Sequence, residues 1–258
     1  MNKKRVAELV NFLKSLKIDS VRFNQILEAN HPEKLKIINE ALTHSSMSKK
    51  INHEKLEFLG DAVLRLSASE FIENNFQRLS VGERSELRAQ IVSDEWLAKF
   101  GKKIHLERII LVGPKAMGDS FSKDTIIAEI TEALIGAFYK CFSSVKEINL
   151  WLDKYWLKDS KLILDAPYKF NAKSKLQEWC QRRSINLPIY KIIEISKTHG
   201  DQKRFYCEVF IEDKLYATSY GQSHKKAEKI AASKAIESIM NINVNPSTLV
   251  PNVLRKKL

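Results

Sequence analysis

Residues 126–139 read Ile-Ile-Ala-Glu-Ile-Thr-Glu-Ala-Leu-Ile-Gly-Ala-Phe-Tyr. A helix that is apolar on nearly every side is buried, so this stretch limits the chain around it to a fold able to enclose one segment. Yet it carries Glu129 and Glu132, three apart and therefore on one side of the helix. The positions four further along are Ala133 and Gly136, so neither acid has a cation one turn away. Burying unpaired carboxylates costs several kcal/mol per ion. They require protonation, hydrogen bonds or a metal. A pair of satisfied buried acids is the plainer alternative.

A second stretch, residues 53–64, reads His-Glu-Lys-Leu-Glu-Phe-Leu-Gly-Asp-Ala-Val-Leu. In a helix Glu54, Glu57 and Asp61 stack on one face. Glu57 and Asp61, four apart with like charge, repel by a few tenths of a kcal/mol unless something positive lies between them. A divalent cation would supply it; a solvated face with Asp61 paired to Arg65 would equally relieve it. Just upstream, residues 41–46 read Ala-Leu-Thr-His-Ser-Ser. Thr43, His44 and Ser46 either line a substrate channel or cap helices.

Helical spacing organises the first part of the chain. Val6, Leu9, Val10, Leu13 and Leu16 predict an amphipathic opening helix, and Pro32 opens another running to about Leu42. The carboxylate helix is expected to continue toward Phe76, followed by a turn at 80–83. One helical pattern then runs through Leu87, Ile91, Trp96 and Phe100 until Gly101 stops it. Residues 113–124 read as loop, and helical character resumes through Trp151 and Trp156. Pro167 sits in a linker placed at 159–170. Beyond it the pattern alternates: strands at 188–195, 205–211 and 215–220, a tight hairpin at 212–214, and helices before and after. The expectation is an all-α domain at 3–158, an α+β domain of order α-β-β-β-α at 171–240, and a flexible basic tail at 241–258.

The net charge of +12 points to a polyanionic partner, most often nucleic acid. Residues 169–240 hold 14 basic and 8 acidic side chains, so the small domain carries much of the surplus. Lys225, Lys226 and Lys229 crowd the first turns of the last helix, where the macrodipole disfavours cations. A phosphate backbone would compensate them; a solvated lysine face is the alternative. Cys141, Cys180 and Cys207 form no ligand pattern and read as reduced packing residues. No apolar run approaches the ~20 residues of a membrane span, and Lys14 and Lys17 interrupt any signal-peptide core. A cytoplasmic, soluble protein with no membrane partner and no organic cofactor is expected.

At these residues the chain resembles a known family. Residues 53–64 are similar to the ribonuclease III signature N-E-R-L-E-F-L-G-D-x-x-L, differing at His53 and Lys55. Residues 41–46 resemble the A-L-T-H-x-S that precedes it, and residues 132–137 the family's E-A-L-I-G-A. The tail, with Leu176-Gln177-Glu178 and Lys226-Ala227-Glu228, resembles a double-stranded-RNA-binding domain.

The resemblance implies an all-helical endonuclease domain that dimerises and cuts duplex RNA with Mg²⁺, Mn²⁺ substituting. The expected substrates are rRNA precursors and other structured transcripts. Carried over by motif, Glu57, Asp61, Glu129 and Glu132 hold the metal, with Asp61 and Glu132 catalytic and Glu54 supporting the site. In the second domain Gln177, Glu178 and the loop at His199 are expected in the minor groove, and His224, Lys225, Lys226 and Lys229 on phosphates.

Three departures stand out. Glu129 replaces the usual Asp, one methylene longer, and Mg²⁺ tolerates little distortion of its octahedron. Val81 replaces an acid, with Glu83 the nearest substitute. Asp201 stands where a minor-groove His is common, with His199 two residues away. Two rivals remain at this level: a non-cleaving RNA-binding protein whose metal site is spoiled by Glu129, and a metal-dependent hydrolase of small phosphate esters.

Overall fold

The chain divides into two units, Met1–Leu162 and Ile163–Leu258. The structure, a computed structural model, describes residues 1–29, 31–114, 116, 120–165, 171–198 and 200–244. The first unit is helical: α1 (Lys3–Ser15), α2 (Val21–Ala29), α3 (Pro32–Ala41), α4 (Glu54–Asn75), α5 (Val81–Ile91), α6 (Asp94–Lys103), a 3-10 turn (Leu106–Arg108), α7 (Ser120–Phe142) and α8 (Lys146–Asp165).

The apolar stretch forms the middle of α7, and Ile127, Ile130, Ala133, Leu134, Ile135, Ala137 and Phe138 are all buried. Helices α3, α4 and α6 pack against it. Two glycines set how closely α4 and α7 approach. A Cβ at Gly60 would lie 2.0 Å from the Glu132 carbonyl oxygen, and one at Gly136 would lie 2.1 Å from that of Leu56. The contact is reciprocal, backbone against backbone, and no larger residue fits at either position. An aromatic group of Phe71, Phe100, Phe138, Trp151 and Trp156 fills the core beside it.

Several boundaries differ from the sequence expectation. Ser80 to Glu83 is the start of α5: the Ser80 hydroxyl accepts from the Glu83 N–H while the Glu83 carboxylate accepts from the Ser80 N–H, a capping box. The single pattern expected across 87–100 is two helices, because Ser93 caps a new one through the Trp96 N–H. Gly101 does not stop a helix; it lies inside α6, where a Cβ would meet Ile127 and Thr131 of α7. Helix α7 starts at Ser120, inside the expected loop, and Asp124 pairs with Lys102. Helix α8 runs through Asp165 because Ser160 and Ile163 continue its buried face, so the first part of the expected linker is helical. The rest of that linker, 166–170, lies outside the described residues, as do 245–258 of the basic tail. Helix α2 has no counterpart in the sequence reading.

The second unit is α9 (Ala172–Arg182), β1 (Ile189–Glu194), β2 (Phe205–Ile211), β3 (Lys214–Gly221) and α10 (His224–Val244). The sheet is antiparallel in the order β1-β2-β3. Strand β2 alternates strictly, burying Phe205, Cys207, Val209 and Ile211 with Leu176, Cys180 and the Ala-rich side of α10. Glu212 and Asp213 both have positive φ, as a two-residue hairpin matching strand twist requires. A Cβ at Gly221 would lie 2.4 Å from the Ala227 nitrogen, so the end of β3 presses directly on the first turn of α10. Cys141, Cys180 and Cys207 are free and buried. Among the described residues no helix is long and apolar enough to cross a membrane.

Candidate active site

The α4–α7 crossing brings the acids of the two stretches together. Gly60 stands one residue before Asp61, and its near-contact is the Glu132 backbone itself. The Glu132 carboxyl is pushed up to about 7 by burial and then by the charges of Asp61, Glu57 and Asp94, with Arg65 opposing. Burial likewise raises Glu57, with Glu129 adding to it and His53 opposing. Glu57 therefore feels acids on both helices. A set of carboxylates that repel one another this strongly fits a divalent cation.

Asp61 accepts a 2.8 Å hydrogen bond from Arg65 Nε, so the plainer pairing foreseen for it is also present. Glu54 is exposed, and its charge acts to raise the pKa values of His44 and Glu57.

Glu129 faces two imidazoles. Its Oε2 lies 3.7 Å from His44 Nε2 and 3.5 Å from His53 Nε2, and Glu57 Oε2 lies 3.3 Å from His53 Nε2. The two rings stack with centroids 4.9 Å apart and planes 20° from parallel. Burial alone would lower the His53 ring. Hydrogen bonding to Glu129 and the charges of Glu57 and Glu129 outweigh it, and the pKa is raised. His44 is lowered by burial and by His53.

The segment carrying His44 is pinned from both sides. Thr43 and Leu111 form a parallel bridge in which the His44 N–H donates to Leu111 O, and the His53 N–H donates to Thr43 O. Ser46 Oγ lies 2.7 Å from His44 Nδ1 and accepts from the Gly113 N–H at 2.9 Å. Of the three polar residues foreseen here, His44 faces the acids and Ser46 orients it. Thr43 is buried, and its hydroxyl donates to Asn39 O, closing the end of α3.

Four participants escaped the sequence reading. Gly60 and Gly136 set the helix spacing, and Asp94 at the start of α6 contributes charge. His53 was noted only as a departure. A glycine inside a helix costs about 1 kcal/mol against alanine, so two of them beside acids on separate helices were the legible sign of a close crossing.

In the second unit, Gln177 is exposed on α9, and Glu178 pairs with Lys175 and Arg182. His224, Lys225 and Lys226 are exposed on the first turn of α10, with Lys229 half-buried one turn on. The His224 ring packs edge-on against Phe205 at 4.3 Å, which fixes where that turn points. Glu228 is drawn back to Lys173 at 2.6 Å, leaving the turn's exposed charge positive. Asp201 accepts from the Lys203 N–H and serves its own loop. His199 lies outside the described residues. Val81 is exposed at the start of α5, and Glu83, the nearest acid, is held by the Ser80 cap.

Comparison with known proteins matches these two halves separately. A Ribonuclease-III-like family model matches residues 34–150, and a double-stranded RNA binding motif model matches residues 172–239. Ribonuclease 3 of Prochlorococcus marinus is 49% identical over 93% of this chain and 96% of its own length. Ribonuclease 3 2 of a Nostoc species is 35% identical, covering 81% of this chain and 86% of that protein. Among solved structures, the nuclease domain of ribonuclease III from Campylobacter jejuni is 31% identical over 48% of this chain and 83% of that one, with a TM-score of 0.40.

Proposed function

The chain belongs to the ribonuclease III family and is a double-stranded-RNA endoribonuclease; on that premise we propose how its residues divide the work. Glu57, Asp61, Glu129 and Glu132 hold Mg²⁺, with Mn²⁺ as a substitute, and Asp61 and Glu132 stand nearest the scissile phosphate. The observation that carries this is the Glu132 carboxyl, crowded by Asp61 and Glu57 at a crossing too tight for the helices to separate them. When bound, the divalent cation supplies the positive charge that offsets these acids and polarises a phosphodiester. Without it, the Glu132 carboxyl, pushed up to about 7 chiefly by burial, is about half protonated at neutral pH. Arg65 holds Asp61 on the exposed edge of α4, where a phosphate can approach.

The second unit grips the duplex by shape. A-form RNA hides its base edges in a deep major groove, so a domain of this kind contacts phosphates and 2′-hydroxyls across the minor groove. His224, Lys225, Lys226 and Lys229 meet phosphates, and the exposed Gln177 with Glu178 meets the minor groove. The enzyme works as a homodimer in the cytoplasm on rRNA precursors and other structured transcripts. Exposed Phe58 and Leu66 on α4 support the dimer, because apolar groups of that size mark an interface more often than open surface. Free buried cysteines support a reducing compartment.

Incubating the purified protein with a long RNA duplex, with Mg²⁺ and with EDTA, tests the reading. The expected result is cleavage in Mg²⁺ only. A duplex that is shifted on a gel but left uncut under both conditions would favour the non-cleaving alternative.

A further inference from the structure

The acids of the α4–α7 crossing fall into two groups. Glu132 feels Asp61 and Glu57, whereas Glu129 is engaged by His44 and His53, and Glu57 borders both groups. We propose that His44, His53 and Glu129, with Glu57 at the edge, form a nitrogen-bearing seat for a borderline transition-metal ion such as Zn²⁺, beside the oxygen-only set.

The distances suit coordination as well as ion pairing. Charge-assisted N–H···O bonds settle at about 2.7–2.9 Å. The three nitrogen–oxygen separations here are 3.3, 3.5 and 3.7 Å, all longer. A four-coordinate Zn²⁺ with bonds of about 2.0–2.2 Å separates neighbouring ligand atoms by roughly 3.4 Å. Ligand atoms of His44, His53 and Glu129 all lie within 4.8 Å of one another, so small movements complete such a polyhedron. Mg²⁺ is a poor occupant, because it prefers oxygen and a tighter octahedron. Two imidazoles with a carboxylate are a donor set that selects Zn²⁺ or a similar late first-row ion in preference to Mg²⁺.

The surroundings prepare the ligands. Nδ1 of His44 lies 2.7 Å from the Ser46 hydroxyl, which the Gly113 N–H holds in place. The Ser46 N–H donates to the same Nδ1 at 3.2 Å, so the segment holds the ring with Nε2 toward Glu129, the atom a metal would take once its proton is released. His53 Nδ1 is buried with no hydrogen-bond partner, so that ring makes its polar interactions through Nε2. The longer Glu129 side chain brings one carboxylate oxygen within 3.7 Å of both Nε2 atoms.

A Zn²⁺ in this seat takes Glu129 as a ligand and lies next to Glu57, which borders His53. Where those acids also serve Mg²⁺, as proposed above, Zn²⁺ slows cleavage by competing for Glu129; that consequence alone rests on the nuclease reading. Binding is tested without it. The full-length protein, stripped with EDTA, is titrated with Zn²⁺ and with Mg²⁺ by calorimetry, and with Co²⁺ by visible absorption.

The expected result is one Zn²⁺ per chain bound at least about 100-fold more tightly than Mg²⁺, with His44→Asn and His53→Asn each weakening Zn²⁺ about 10-fold or more. Intense visible Co²⁺ bands should fade in both variants. Asp61→Asn should weaken Mg²⁺ and leave Zn²⁺ affinity within about threefold. Zn²⁺ affinity unchanged by His44→Asn, or lost only with Asp61→Asn, overturns the proposal. Should buried His53→Asn fail to fold, the half-buried His44 carries the comparison by itself. An enzyme that binds Zn²⁺ as expected yet leaves RNA uncut would count against the nuclease reading and not against this one.

Discussion

The proposed chemistry rests on single carboxylates, each of which can be neutralised with little change of shape. Glu132→Gln keeps the shape of the side chain and removes its charge, so duplex cleavage is expected to fall by at least about 100-fold while gel-shift affinity stays within about twofold of wild type. Near-normal cleavage by that variant would remove Glu132 from the reaction. Asp153 on α8 tests the electrostatics away from the site. Burial, with Glu70 adding to it, pushes its carboxyl up to about 6, and its Oδ1 has no hydrogen-bond partner. An acid raised on folding makes stability fall as pH climbs from its unfolded value near 4 to about 6, and leaves it level above. Asp153→Asn should therefore stabilise the fold by about 1 kcal/mol above pH 6, after allowance for solvent screening. That gain should vanish near pH 4, as urea melts at the two values would reveal. At this scale much of the site was legible: spacing alone put Glu129 and Glu132 on one side of a buried helix. The roles of His53 and Asp94 were not, because His53 meets Glu129 and Asp94 meets Glu132 only once distant parts of the chain are brought together.

Helices earn their positions from caps and close approaches more than from apolar period, and this is where pattern reading lost accuracy. Ser80 begins a helix where a turn is expected and Ser93 begins one inside a single apolar pattern, while Gly101 reads as a stop because its role against α7 depends on tertiary contact. Helix α2 has little of its own to announce it. Phe23 is buried, and Arg22 reaches across to Phe142 O and Glu147. The strands were easier, since strict alternation in β2 fixes its buried face. Gly60→Ala would drive a methyl group into the Glu132 carbonyl. Because backbone, not a flexible side chain, must yield, the expected cost is at least about 3 kcal/mol in a denaturation midpoint, with cleavage lost in parallel. On α10, replacing Lys225 and Lys226 together by alanine should weaken duplex binding and reduce the slope of log affinity against log salt by about 2. An unchanged slope would move the phosphate contacts elsewhere.

For the whole molecule, the chain divides into two compact units, the second with a core of its own. Phe58, 85% exposed on the helix that also carries Glu57 and Asp61, is the side chain we propose for the subunit contact. Phe58→Glu is expected to halve the mass seen in sedimentation equilibrium at micromolar concentration; an unaltered mass would place the subunit contact on another surface. The paired glycines of α4 and α7 carry a last implication. Side chains in a core can loosen by degrees on warming, but two backbones resting on each other have no intermediate distance to occupy. The reactive centre then has no partly slackened form: heat should extinguish it in the same step that melts the helical unit, and a preparation that still shows its full helical signal should still cut.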